Sequence, residues 1–558
     1  MTLENLLARL ICSIVVGLAA ILAMAAAAGS SRTDELVIGI GQEPDTLDPL
    51  FGENVAGAIV RGAMLGDLVS YDDRFERVPD LAVEVPTLAN GGIRLTPDGG
   101  MTTTYRIRPD ARWSDGVPVT ASDFIFAHEV VMDPRQPVIS RDAARRVLRL
   151  EAPGPRTLVV RWKGRYAYSN DYRVLRALPR HALEPIYRAD PVRYHENGWA
   201  KAPLANGPFR LESWVPGDRL TLVPNPCWRG PGPMLRRVTY RVIPSTASQI
   251  VNVVSGSVDA LSTLSISLDQ ALDLRERWGH RVRAVISPGL AWEHIDLKVD
   301  DPLLSDPRVR KAILYGIDRH GIARNLFLGQ VTVADTWLPP GHYAHRPVLA
   351  GVRYDPDGAR RLLDEAGYRP GADGVRVGPA GRLALEFVTT AGHGAREQVQ
   401  QIVQLQLAAI GIQVKIRNVP GKVFFSERIR RRSFRHLAML AWTMSPISDG
   451  LFIWSSRMVP SEANGWQGQN ASGWRNDRAT QLLERVQTTL EESERAGLLA
   501  EVQRLWAQDL PSIPLFFRAN VSVVSPRLVG WKPTGTHVPE TWNIHEWRLS
   551  PAPGGASS

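Results

Sequence analysis

Side chains at the spacing that catalysis or metal binding requires are scarce in this sequence. The 558 residues contain no His-Glu-x-x-His helix, no Gly-x-Ser-x-Gly elbow and no glycine loop suited to cradling a phosphate. His342 and His345 lie three positions apart in a loop rich in proline and glycine, which leaves a metal site there as a minor alternative. We therefore predict no catalytic residues, no bound metal and no cofactor. A secreted hydrolase or metalloenzyme is the alternative from another functional class.

The N-terminal segment and the two cysteines indicate the compartment. Arg9 precedes an apolar run over residues 10–28 that ends in small residues, which is typical of a signal peptide cleaved near Ala28. An uncleaved membrane anchor is the alternative, because one arginine makes a weak n-region and the run is long. Cys12 lies inside the run, so only Cys227 remains after cleavage and no internal disulfide can form. We predict a signal peptide at 1–28 and a periplasmic protein.

The chain is basic, with 66 Lys and Arg against 57 Asp and Glu and a formal net charge of +9. Its densest basic run, 428–435, includes Ile429 and Phe434 and precedes an apolar strand. We interpret the run as a solvated face, and a nucleic-acid patch is the alternative. Because the basic excess is interpreted as general use of arginine along the chain, we predict no nucleic-acid partner.

Hydrophobic periodicity predicts an α/β architecture. Residues 36–40 form a short β-branched run typical of a buried strand, and the loop 42–54 leaves its carboxyl end, where open α/β sheets bind ligands. An apolar stripe over 399–410, stopped by Gly411 and followed by alternation at 412–416, is typical of half a βαβ unit. Further elements are predicted at 437–441 (a central strand), from Arg478 to about Gln508 (one long helix) and at 513–517 (a strand).

Residues 72–200 have a different pattern, which predicts a separate small unit. Residues 102–108 alternate as an antiparallel strand with one exposed face does. Thr120 and Asp123 have the spacing of a capping box at a helix start, and 158–160 is a further strand. We predict an α+β insertion within the first lobe of a larger fold.

Six sequence blocks resemble one family, the extracellular solute-binding proteins of the peptide, opine and nickel ABC importers. They occur in the family's order at 41–49 (GQEPDTLDP), 105–124 (YRIRPDARWSDGVPVTASDF), 206–211 (NGPFRL), 256–260 (GSVDA), 304–312 (LSDPRVRKA) and 510–515 (LPSIPL). Each block is weak alone, but their order over nearly the whole mature chain is specific. The resemblance is to the dipeptide- and oligopeptide-binding members.

The resemblance implies a two-lobed α/β fold of the class II periplasmic binding-protein type. Two crossing segments join the lobes, an extra α+β domain is inserted in the first lobe, and the lobes close on ligand like a hinged clamp. The predicted divisions are 34–71 and 201–290 (first lobe), 72–200 (insertion), 291–510 (second lobe) and 511–550 (return to the first lobe).

The resemblance also implies positions for the ligand contacts. In peptide binders an Asp after the central strand of the second lobe pairs with the peptide amine, and Asp449 is the only carboxylate in 441–450. The family often has an acidic residue earlier, where Ser445 falls, and capping of the next helix is the alternative role for Asp449. Trp442 corresponds to an aromatic wall of the site, with core packing as its alternative.

Three further loops complete the predicted site. Glu53 falls where the first-lobe loop of oligopeptide binders lies near the peptide, and an ordinary exposed Glu is the alternative. Arg396 or His393 corresponds to a loop that supplies contacts to the ligand carboxylate in the family. Trp466, in the polar loop 464–470, suits adaptable side-chain recognition or belongs to a plain surface loop.

These features predict the substrate-binding subunit of an ABC transporter. It would capture a small solute, a di- or oligopeptide in the first instance, and deliver it as a monomer to permease subunits in the inner membrane. A nickel or metal-chelate receptor on the same scaffold is the alternative, and a membrane-anchored sensor that retains 1–28 is a further one.

Overall fold

The computed structural model describes residues 34–52, 54–138, 140–171, 175–263, 265–534 and 539–551. The predicted signal peptide and Glu53 lie outside these residues. The first half of the chain contains β1 (Glu35–Ile40), α1 (Val55–Met64), β2 (Val69–Tyr71), β3 (Arg77–Pro79), β4 (Ile93–Leu95), β5 (Met101–Arg106), α2 (Ala121–Met132), α3 (Asp142–Arg146), β6 (Val147–Gly154), β7 (Thr157–Trp162), α4 (Arg180–Ala189), β8 (Phe209–Val215), β9 (Arg219–Pro224), β10 (Arg237–Val242), α5 (Thr246–Ser255), β11 (Ala260–Leu261) and α6 (Leu268–Trp278).

The second half of the chain begins with the longest strand, and its last strand lies near the first half. Its elements are β12 (Arg283–Leu297), α7 (Pro307–Tyr315), α8 (Arg319–Gly321), β13 (Thr332–Val333), α9 (Pro356–Glu365), β14 (Arg369–Pro370), β15 (Arg376–Gly378), β16 (Gly381–Arg382), β17 (Ala384–Val388), α10 (Gly394–Ala408), β18 (Gln413–Ile416), α11 (Gly421–Val423), β19 (Leu437–Thr443), α12 (Leu451–Trp454), α13 (Asp477–Val486), α14 (Glu492–Asp509), β20 (Ser512–Val524), β21 (Leu528–Val529) and β22 (Arg548–Leu549).

One sheet of eleven strands runs through both lobes, in the order β18-β17-β19-β12-β20-β11-β1-β10-β9-β8, with β13 beside β20. β1 pairs with β10 and β11 in parallel, and β17 pairs with β18 and β19 in parallel. The two long antiparallel strands β12 and β20 connect these two parallel groups. The α/β two-lobed fold with two crossing segments is thus confirmed.

The register between the crossing strands shifts at two places, of which the second lies between Glu293 and His294 and the first is the longer. Arg283 to Pro288 pair with residues 519–524, Trp292 pairs with Phe517, and the register shifts between Pro288 and Trp292. Gly289 lies inside this break, where an added Cβ would stand 2.5 Å from the carbonyl oxygen of Arg518. The sheet is therefore divided between the lobes at a point where only glycine fits.

The segment before β8 forms its own antiparallel sheet, in the order β4-β5-β7-β6. α2 starts with the predicted capping box, in which Asp123 accepts from the Thr120 backbone N–H at 2.7 Å. Phe124 packs on this sheet, while Phe126 and Val130 of the same helix pack on a second cluster around Tyr187 and Tyr194. The predicted domain boundaries at 72 and 200 remain predictions.

The one long helix predicted from Arg478 is wrong: α13 ends at Val486, and α14 starts at Glu492. Thr488 and Thr489 end α13 because both hydroxyls donate to the carbonyl oxygen of Arg485, at 3.2 and 2.9 Å. The break places Gln487 in a loop, where its side chain and its backbone can form hydrogen bonds with other segments of the chain.

Candidate ligand-binding site

A cavity of about 600 Å³ lies between the inserted segment and the loop after β19. This volume is in the usual range for small-molecule sites. The inserted segment contributes residues of α2, α3 and the stretch 166–176, and the second lobe contributes 442–453 with two glutamines. The lining includes Leu50, His128, Ala143, Arg146, Tyr166, Tyr168, Asp171, Arg176, Trp442, Ser445, Ser448, Asp449, Phe452, Gln469 and Gln487.

The loop 444–450 is fixed to the second lobe by backbone contacts. Met444 N–H donates to the Leu290 carbonyl at 2.9 Å, and Ser445 N–H donates to Ser448 Oγ at 2.8 Å. Gly450 has a φ of +81°, and an added Cβ there would stand 2.6 Å from the Trp337 ring. A loop held at both ends presents its side chains to the cavity in a defined arrangement.

Asp449 lines the cavity and also holds the start of α12. Its Oδ1 accepts from Leu451 N–H at 2.8 Å, and its Oδ2 accepts from Gln487 Nε2. Burial raises the pKa of Asp449 above its usual range, while the hydrogen bonds from Leu451, Tyr168 and Gln487 oppose the shift. The capping alternative therefore applies to this residue, and a role toward a ligand amine remains a prediction.

Trp442 also lines the cavity, and it packs against two core clusters at the same time. Its indole is half-buried. Trp442 can therefore form part of the cavity wall and part of the core packing from the same position.

Gln487 and Tyr168 bring the two walls into contact. Ala167 N–H of the insertion donates to the Gln487 carbonyl at 2.8 Å. Arg495 of α14 lies over the Tyr168 ring at 5.8 Å, and Arg77 of β3 pairs with Glu492 at 3.2 Å. These contacts close one side of the cavity across the two segments.

The wall that the inserted segment forms carries ionisable groups. Arg146 is exposed and lies 4.8 Å from the centre of the Tyr166 ring. Asp171 accepts from the Tyr71 hydroxyl at 3.1 Å. His128 Nδ1 is buried with no hydrogen-bond partner in the described part of the chain, and burial lowers the pKa of this imidazole. The wall thus offers a cation, a carboxylate and a neutral ring to a ligand.

Arg396 lies elsewhere, at the start of α10. Its Nε donates to Glu293 of β12 at 2.7 Å, and Arg518 of β20 binds the other oxygen of Glu293 at 2.5 Å. Burial opposes ionisation of Glu293, but the two guanidinium groups outweigh it and lower the pKa of this carboxyl. His393 caps α10 and lies 3.5 Å from Arg518. Neither Arg396 nor His393 lines the cavity.

Trp466 lies apart from the cavity as well, with Arg431 5.9 Å from its ring centre. Only Gln469 of its loop reaches the lining. The structure thus brings together two predicted residues, Asp449 and Trp442. Tyr168, Gln487 and the α2–α3 wall were not predicted, since nothing in their spacing places the insertion against the second lobe.

The family match covers most of the chain. The family model of bacterial extracellular solute-binding proteins, family 5 (middle region), matches residues 78–458. The chain belongs to this family. No helix in the described parts of 34–551 combines the length and apolar character that a bilayer span needs.

Individual relatives of this solute-binding protein include peptide binders. An oligopeptide-binding protein from Thermus thermophilus, solved with a pentapeptide, is 32% identical with a TM-score of 0.69, covering 92% of this chain and 96% of that one. The oligopeptide-binding protein AppA of Bacillus subtilis is 22% identical over 92% of each chain. NikZ of Campylobacter jejuni, solved with Ni(L-His), is 20% identical with a TM-score of 0.71 over 92% and 99% of the chains, and at this identity it shows the fold alone.

Proposed function

We propose that this protein is the substrate-binding subunit of an ABC transporter and captures a short peptide in the cavity beside Asp449. The observation that carries the proposal is the cavity itself, which lies between the inserted segment and the second lobe and is lined by groups of both charges. The 32% identity to a protein solved with a pentapeptide supports peptide over other solutes.

The lining matches the groups that a free peptide must bury. An ammonium needs a carboxylate, and Asp449 and Asp171 both line the cavity; a carboxylate needs a cation such as Arg146. Peptide amides need hydrogen-bonding partners, which Ser445, Ser448 and the two glutamines supply. Trp442 and Phe452 add apolar surface for ligand side chains.

Capture by this arrangement requires the lobes to separate and close again. The crossing strands β12 and β20 connect the lobes, and residues 289–291 of β12 have no partner in β20, so we place the bend at this register break. The closed, loaded form then docks as a monomer on permease subunits in the inner membrane. The protein acts in the periplasm and performs no catalysis.

A direct test is a substitution that places a large side chain in the cavity. Ala143 of α3 lines the cavity, and Ala408 of α10 is exposed outside it, so Ala143→Trp and Ala408→Trp make the same change in two places. Isothermal titration with a set of di- to pentapeptides is expected to give binding for the wild type and for Ala408→Trp. Ala143→Trp is expected to lose at least about tenfold in affinity.

Equal affinity of all three proteins would contradict the placement of the site. Binding of a nickel or iron chelate in place of every peptide, retained in Asp449→Ala, would contradict the ligand class and favour the chelate receptor. Circular dichroism of each variant shows whether a loss of binding reflects a loss of fold.

A further inference from the structure

The net positive charge of this protein is concentrated in one short segment, so the expectation of a basic excess spread along the chain is wrong. Residues 411–435 contain eight Lys or Arg and a single Glu, a formal charge of +7, whereas the 558-residue chain totals +9. The rest of the chain is therefore close to neutral. Such a concentration indicates a surface that meets a polyanion.

The segment lies at one end of the molecule. It begins at β18, the edge strand of the large sheet, and continues through α11 and a π-helical turn at Phe424–Ile429. Two of its cations have acidic partners: Arg432 pairs with Asp300 at 2.8 Å, and Arg431 pairs with Glu427 at 3.6 Å.

Lys415 of β18 is the cross-strand neighbour of Glu386. Lys422, Arg430 and Arg435 are exposed and form no ion pair with any residue in the described part of the chain. Together with Arg417, which is also exposed and in no ion pair among the described residues, these three cations are available to an outside partner.

Apolar side chains are exposed among the cations. Phe425 is 46% exposed and Val423 is 39% exposed, and the half-buried Trp466 lies next to Arg431. Aromatic rings among cations also suit the stacking of nucleic-acid bases, but the exposed aliphatic side chain of Val423 has no such role. Cations interleaved with both aromatic and aliphatic residues are the composition of protein surfaces that lie on a bilayer.

We propose that this basic surface, made of Lys422, Val423, Phe425, Arg430 and Arg435, binds the anionic headgroups of a lipid bilayer. The cations interact with lipid phosphates, and Phe425 and Val423 enter the boundary between headgroups and acyl chains. Contact with the bilayer would hold the second lobe at the membrane and confine the search for a permease to two dimensions. The surface is separate from the cavity.

The test compares vesicles of phosphatidylcholine with vesicles that also contain about one quarter phosphatidylglycerol. In co-sedimentation of the full chain, the wild type is expected to bind only the anionic vesicles, and more weakly as salt rises. The triple variant Lys422→Gln/Arg430→Gln/Arg435→Gln is expected to bind them about 100-fold more weakly, since each cation near an anionic surface contributes about fivefold.

The matched control is Arg275→Gln/Arg324→Gln/Arg504→Gln, which removes three exposed cations outside the segment and should keep wild-type binding. Phe425→Ser should weaken binding to vesicles but leave its salt dependence unchanged. All variants share residues 1–33 with the wild type, so a difference between them reports on the basic surface.

Equal binding of the wild type and the triple variant to anionic vesicles would overturn the proposal. Binding of the wild type to poly-glutamate or to DNA but not to anionic vesicles would also overturn it, in favour of a macromolecular partner. Peptide titration of the triple variant separates this result from the proposed function, because the cavity is untouched.

Discussion

At the residue scale, Asp449 is a half-buried carboxyl that lines the cavity and accepts hydrogen bonds from Leu451, Gln487 and Tyr168. A ligand ammonium stabilises only its ionised form, whereas burial favours the protonated form. Peptide affinity should therefore be highest near neutral pH and fall as the pH drops toward the raised pKa. Isothermal titration between about pH 5 and pH 7.5 measures this slope.

Asp449→Asn should weaken peptide binding at neutral pH by about 10- to 100-fold and flatten its pH dependence. The variant keeps an oxygen for Leu451 N–H, so the loop is expected to stay folded. Wild-type affinity and an unchanged pH slope in this variant would show that Asp449 only caps α12.

Asp48 is a second carboxyl with a displaced pKa. Burial raises the pKa of Asp48 to about 7, against the Leu50 N–H bond and Arg61. The folded state therefore holds this proton more tightly than the unfolded chain, whose Asp pKa is about 3.9. The stability from this group is full below about pH 4 and is lost progressively as the pH rises from there to about 7.

Asp48→Asn copies the protonated acid and should leave the melting temperature nearly unchanged below about pH 4. At pH 8 it should raise the free energy of unfolding by on the order of 4 kcal/mol relative to the wild type. Asp73→Asn, in an exposed loop, is the matched control. If the difference in unfolding free energy between Asp48→Asn and the wild type does not grow with pH, the pKa of Asp48 is not raised by burial.

At the element scale, one ion-pair cluster joins α10 to both crossing strands. Arg396 and Arg518 bind the two oxygens of Glu293, which is 1% exposed. Removing one partner of a buried carboxylate is costly, because the remaining charge loses its compensation. Arg396→Ala should destabilise the protein by about 2–3 kcal/mol, whereas the exposed Arg417→Ala should have little effect.

Thermal unfolding of both variants measures the difference. If Arg396→Ala melts like the wild type but loses peptide affinity, Arg396 acts toward the ligand as the family resemblance implies. That result would contradict a structural role for the cluster.

Gly289 sets the geometry of the crossing strands. Because an added Cβ would meet the Arg518 carbonyl oxygen at 2.5 Å, Gly289→Ala must shift one strand against the other. We expect a destabilisation of about 1–3 kcal/mol and a changed small-angle scattering curve. Gly164→Ala meets nothing within 4 Å and is the control; identical melting and scattering of the two variants would exclude a hinge at Gly289.

Elements were predicted well where the local pattern was strong. β1 at Glu35–Ile40, the capping box of α2 and β19 from Leu437 all occur as predicted. The helix predicted from Arg478 was wrong because its apolar spacing continues across the break, and the break depends on the hydroxyls of Thr488 and Thr489. Because the sequence predicts a continuous helix there, it gives no indication that the Gln487 side chain reaches Asp449 from a loop.

At the scale of the whole molecule, the order of the sequence blocks was enough to predict two lobes and two crossing segments. The cavity was predictable only on its second-lobe side, at Trp442 and Asp449. Its other wall comes from residues more than 250 positions earlier in the chain, at α2 and α3. No local pattern encodes which face of the insertion turns toward the second lobe.

A short peptide that occupies the cavity between the insertion and the second lobe should stay bound during native purification. Mass spectrometry of the small molecules released from the purified protein is expected to find peptides of a few residues, about one per chain, in the wild type and in Ala408→Trp, and none in Ala143→Trp. Release of a metal chelate or another non-peptide solute, or of equal amounts of peptide from Ala143→Trp, would contradict peptide capture in this cavity.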